Sequence, residues 1–199
     1  FVGPVQFGWG FSLHKVDLVD SRTITSVFSG RESEGYGNMG KDYRVYYSLI
    51  AFYGAVSAAR ARLTKLREED LNLFDDVIWE ALLNETVSRS KIGQRPILYL
   101  RAEYADDRFM IGDLRRYVSA KVRDSAGTAP RSLNDLELNF NGLVNAFKAN
   151  ESKLVSVYIR ADSALSSYGL DESLRKYLGE QKVHPLPHGV DAKSALQFS

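Results

Sequence analysis

Residues 97–104 read ILYLRAEY. Leu98, Leu100 and Ala102 fall on one side of an extended chain and Tyr99, Arg101 and Glu103 on the other, which is the two-residue period of a strand. Pro96 closes the polar stretch before it, so a loop over 86–96 and a strand over 97–104 are predicted. KLVSVYIR at 153–160 predicts a second strand. Helical spacing takes over at 67–84, where Leu71, Phe74, Val77, Ile78, Ala81 and Leu82 form one stripe. Its acidic first turn (Glu68, Glu69, Asp70) suits the positive end of a helix dipole. A further helix is predicted at 141–149 with Leu143, Val144 and Phe147 inside, and a short one at 170–178 opened by Asp171. Leu49, Phe52, Tyr53 and Val56, among Ala51, Ala55, Ala58 and Ala59, predict another over 45–63.

Outside these elements, 1–13 reads as one glycine-punctuated strand, and 16–28 and 133–140 as extended, with a weaker strand signal over 110–122. SGRESEGYGNMGK, 29–41, holds four Gly and no apolar period, so it predicts a long surface loop. Gly127 to Ser132 is a loop, and from His184 a Pro- and Gly-marked tail is expected. Strands and helices alternate without a parallel-sheet rhythm or a repeat. The fold class is therefore α+β: one domain over 1–183, with a loop insertion near 22–44, a helical part at 45–85, and a tail at 184–199.

The 199 residues carry 26 Lys+Arg against 25 Asp+Glu, a formal net charge of +1. That balance argues against coating nucleic acid by bulk charge. Hydrophobic residues are 44% and aromatics 12%, enough for one good core and too much for wholesale disorder. No apolar run nears the roughly 20 residues of a membrane span. The absence of Cys excludes disulfides and thiolate chemistry and fits a cytoplasmic protein. The charges are segregated: 68–85 holds seven acids and no base, and 41–67 six bases against one acid, Asp42. Two solvated helix faces would explain this, and so would one anion-attracting face.

Candidate chemistry is sparse. His14, His184 and His188 are the only histidines, and the prolines of HPLPH forbid a helical metal pair. Ser12 and His14 lack a nucleophile elbow. Asp75–Asp76 and Asp106–Asp107 read as solvated acids, and no phosphate-cradle motif is present. No catalytic residue, metal or cofactor is expected. Three segments mix Gly or Ser with cations or exposed aromatics: Thr23–Phe28, Asn38–Arg44 and Ser88–Arg95. Gly admits a close phosphate, Lys and Arg neutralise it, and Phe28, Met39 or Tyr43 would stack on bases. Core packing explains the same aromatics, and on the residues alone the two readings stand level.

The strings GPVQFGWGFSLHKV, TITSVF, NMGKDYRVYYSLIAFYG, SRSKIGQRPILYLRAEY and FMIGDLRRYV, in this order, resemble the backbone subunit of type I-B CRISPR Cascade complexes, a RAMP-family crRNA-binding protein. The resemblance covers roughly Gly3 to Val118. It implies an RRM-like, ferredoxin-type palm with insertions as finger and thumb. Copies would stack head to tail along one crRNA, beside other Cascade subunits and away from membranes, and hold the guide for pairing with a target DNA strand. With the loops above, it assigns RNA contact to Gln6, Ser12, Arg22, Thr25, Ser26, Phe28, Met39, Lys41, Arg44, Arg89, Ser90, Lys91 and Arg95. Residues 29–40 would be a projection ordered by RNA or a neighbouring copy, with Met39 at its tip as the wedge that displaces a base and Phe28 as the second candidate. Members of this family also carry a first palm strand and helix that nothing here matches, so an upstream part before Phe1 is expected. The RRM aromatic pair is not evident, and base stacking on the sheet is not expected. Two other classes stay open: a metal-dependent RAMP-type ribonuclease using Asp42, and a protein–protein adaptor without RNA.

Overall fold

The structure is a computed structural model that describes residues 2–19, 23–25, 39–41, 44–85, 91–127 and 129–186. In chain order its strands and α-helices are β1 (Val5–Phe7), β2 (Phe11–Ser12), β3 (Leu18–Val19), β4 (Thr23–Thr25), β5 (Met39–Lys41), β6 (Arg44–Val45), β7 (Ile50–Ala51), β8 (Gly54–Val56), α1 (Ala58–Thr64), α2 (Glu68–Asn84), β9 (Leu98–Tyr104), β10 (Ser119–Val122), β11 (Leu136–Asn139), α3 (Asn141–Ala149), β12 (Leu154–Ala161), α4 (Leu170–Leu178) and β13 (Val183–Pro185). The mixture is α+β. The chain forms two units, one of Phe1–Trp9, Phe52–Val118 and Asn139–Ser199, the other of Gly10–Ala51 and Ser119–Leu138.

The first half of the chain pairs in nested antiparallel order: β1 with β8, β2 with β7, β3 with β6 and β4 with β5. Phe7 lies opposite Gly54, Phe11 opposite Ala51, Val19 opposite Arg44 and Thr25 opposite Met39. The register slips by one residue from each ladder to the next, the mark of β-bulges. The predicted strand over 1–13 is thus two short strands. The predicted helix over 45–63 is overturned: 44–56 carries three strands, and the helix begins only at Ala58, behind the N-cap Ser57. Tyr, Phe, Ile and Val dominate 45–56, and a partner strand upstream outweighs their chance 3.6-residue spacing. Met39 is corrected too. It lies in a ladder opposite Thr25, in the stem of the insertion and not at its tip.

In the first unit the sheet order is β13-β12-β9. β9 is antiparallel to β12, and α4 carries the chain across to β13, parallel to β12. Strand over 97–104 and 153–160, and helix over 141–149 and 170–178, stand as predicted. Val157 and Val183 are paired and buried on one face, with Ile159 beside them. The apolar stripes of α3 (Leu143, Val144, Phe147) and α4 (Leu170, Leu174, Leu178) are buried as well, and the two helices pack together. The expected tail starts later than His184, because Val183–Pro185 completes the sheet and Leu186 is buried.

The second unit is made of β2–β7, β3–β6, β4–β5 and the β10–β11 pair, with Leu136 and Leu138 buried. His14 is buried by a backbone turn: its Nδ1 lies 2.8 Å from the Lys15 carbonyl, and Nε2 accepts from Leu49 N–H at 3.1 Å. Donation from Nδ1 and acceptance at Nε2 fix one neutral tautomer. His14 is a strut of this unit.

Candidate nucleic-acid interface

The sites expected from sequence divide by position. Thr25, Met39, Lys41 and Arg44 are brought together on neighbouring ladders of the second unit: Thr23 pairs with Lys41, Thr25 with Met39 and Val19 with Arg44. The described parts of two of the three Gly/Ser-basic segments, 23–25 and 39–41, separate in sequence, are therefore one structural stem. Ser12 lies in the same unit, where its hydroxyl donates to the His14 carbonyl at 2.8 Å. Arg22, Ser26, Phe28, Arg89 and Ser90 lie outside the described residues, as do Asp42 and Tyr43.

Gln6, Lys91 and Arg95 belong to the first unit. Gln6 is exposed and its amide donates to Gly3 O at 3.3 Å. Lys91 is exposed in a turn closed by Gln94 N–H on its carbonyl, with Gly93 at φ +81°. Arg95 is half-exposed and donates to Asp162. Asp162 also accepts Ala164 N–H at 2.9 Å, and that bond first, then Arg95, holds its carboxyl below the usual range. A lowered carboxylate contributes stability that is present above its ordinary value and lost as pH falls through the lowered one. The Asp162 carboxyl should therefore titrate below about 3.9 by carbon-detected NMR. Arg95→Ala should raise that midpoint partway only, since the Ala164 bond remains; an unmoved midpoint would mean the ion pair does not form in solution.

The polar face of ILYLRAEY carries what sequence reasoning missed. Asp75 and Asp76, read as solvated, are buried on α2. Tyr99 Oη donates to Asp75 Oδ1 at 2.6 Å and Arg101 Nε to Asp75 Oδ2 at 2.8 Å. Arg101 also binds Glu103 and lies 4.2 Å above the Tyr158 ring. Arg160 donates to Glu80 at 3.1 Å and lies over the buried Trp79 ring. Burial first, then Asp75, pushes the Tyr99 phenol up; burial pulls Arg101 down, but Asp75 and Glu103 outweigh it and the guanidinium is held charged. Asn72, Asp75, Asp76 and Trp79 recur at helical spacing, so α2 turns a polar face to the sheet while Val77 and Leu82 of its predicted stripe are exposed. The acidic run at 68–85 is therefore not a free anionic face. The signal was present: a strand showing Tyr, Arg and Glu on one side needs acceptors from a facing element. With α2 over Tyr99 and Arg101, this face of the strand is closed.

Among the described residues, no group of three or more His, Asp or Glu is placed to hold a metal ion. No described helix is long and apolar enough to cross a membrane.

The sequence model for the CRISPR-associated protein Cas7 family matches residues 1–141. The chain belongs to the Cas7 family. A curated relative, the CRISPR-associated protein Cas7 of Haloferax volcanii, is 31% identical over 177 residues, covering 88% of this chain and 52% of the relative. The chain thus spans about half the length of that relative. The Cas7 match runs through all four nested ladders and the α2–β9 interface and contains every residue assigned to RNA contact above.

Proposed function

We propose that this Cas7-family chain is a CRISPR Cascade backbone subunit that binds crRNA through its phosphates, polymerises head to tail along it, and presents it for pairing with a target DNA strand. The observation that carries the reading is the family match over 1–141, which holds all the proposed contact residues. Guides differ in sequence, so a backbone protein has to be sequence-blind and rest on phosphate contacts. Base pairing then reads the target. Lys41 and Arg44 on the ladder stem and the exposed Lys91 supply the cations; Arg95 supplies less, because Asp162 already balances it. A heterologous interface that does not close on itself gives a filament along the guide. In this reading the fold is an RRM-like palm, the complex is of type I-B and cytoplasmic, other Cascade subunits flank the filament, and the subunit performs no catalysis.

The test is direct binding. The chain should bind single-stranded RNAs of unrelated sequence with similar affinity. Binding confined to one sequence, or none, would contradict the proposal.

A further inference from the structure

Two aromatic side chains stand out in the first unit. Trp9 is 85% exposed and Phe52 62%. They follow the same ladder: Phe7 pairs with Gly54, and Gly8 N–H donates to Tyr53 O at 2.9 Å, so Trp9 and Phe52 are the next residues of the two chains. Directly opposed residues of an antiparallel pair project to the same side. Phe7, two residues earlier, is already used: it packs against Phe74 of α2, and a Cβ on Gly54 would come within 2.8 Å of its ring. Trp9 and Phe52 continue that aromatic row beyond the helix and into solvent. The Trp9 backbone is held. The Trp9 carbonyl accepts from Arg115 Nη1, and Arg115 is clamped by Asp113 through two bonds of 2.8 Å. Arg116, next in the chain, is exposed.

We propose that Trp9 and Phe52 form a platform on which bases of a single-stranded RNA stack, with Arg116 drawing the phosphates alongside. The inference rests on the RNA-binding reading above and adds to it a base-contacting surface apart from the loops. The chemistry favours this occupant. Both side chains are aromatic and exposed, and the exposed Arg116 of the same unit supplies a positive charge. Stacking is tolerant of sequence because every base has a π-face, as a guide-binding protein requires.

The chain has only two tryptophans, Trp9 and the buried Trp79, so Trp79→Phe leaves Trp9 as the sole reporter. In that background, adding oligoadenylate to the full chain should quench the Trp9 emission. By anisotropy of the labelled oligonucleotide, Trp9→Ala and Phe52→Ala should each weaken binding roughly 5- to 150-fold. The slope of log K against log salt should not change, since no phosphate contact is lost. Trp9→Phe should restore most of the affinity. Both positions are exposed, so melting temperatures should match the parent. RNA binding without quenching, or with wild-type affinity in Trp9→Ala, overturns the platform while leaving the proposed function standing. Loss of self-association with RNA affinity intact makes the pair a protein contact and overturns it equally. No RNA binding by the parent chain overturns both.

Discussion

Asp75→Ala is expected to cost about 3–5 kcal/mol in urea unfolding. The carboxylate is fully buried, and its two oxygens satisfy Tyr99 Oη and Arg101 Nε. Truncation leaves a buried guanidinium facing a void and a phenol without its acceptor, and the desolvation cost already incurred is no longer offset. The pair is worth less than its removal suggests. A triple substitution, Asp75→Leu with Arg101→Met and Tyr99→Phe, should recover most of the loss, because apolar groups of similar volume ask for no partners. A single-variant cost below about 1 kcal/mol would mean that water reaches the pair and that α2 does not close on β9 as described.

Phe147→Ala should cost a similar amount, about 3–5 kcal/mol, by a different route. Phe147 has no exposed surface, on the same stripe of α3 as Leu143 and Val144 and in a core with Leu174 and Leu178 of α4. The loss is apolar transfer plus the cavity left behind. Leu73→Ala on the outer side of α2, where the side chain is 45% exposed, should stay within about 0.5 kcal/mol. If the two variants cost the same, the core is not where the structure puts it.

These two residues mark how far the sequence could be read. Phe147 was legible because its partners lie within its own helix period: Leu143, Val144 and Phe147 recur as a buried stripe recurs, and the helix runs over 141–149 as read. The strands at 97–104 and 153–160 were legible for the same reason, with a two-residue period. Asp75 was not. The apolar stripe of 67–84 is genuine as a pattern, but a period cannot say which face meets a partner, and here the facing strand brings Tyr99 and Arg101, which need acceptors. The segment 45–56 failed because its partner lies upstream, at Val5–Val19, and only the pairing selects strand over helix. Residue chemistry singled out Thr25, Met39, Lys41 and Arg44 as candidates for RNA contact, while their assembly into one stem needed the ladder. The Arg95–Asp162 bond spans 67 residues and leaves no local trace.

The central claim is that RNA is held by phosphate contacts blind to sequence, and its most direct test is the salt dependence of RNA affinity for the parent chain and for Lys41→Ala with Lys91→Ala. Each phosphate contact contributes about one unit to the slope of log K against log salt. The account predicts that the double variant, melting like the parent, loses affinity equally for unrelated RNAs and shows a slope shallower by about two units. An unchanged slope, or a loss that depends on RNA sequence, would contradict it.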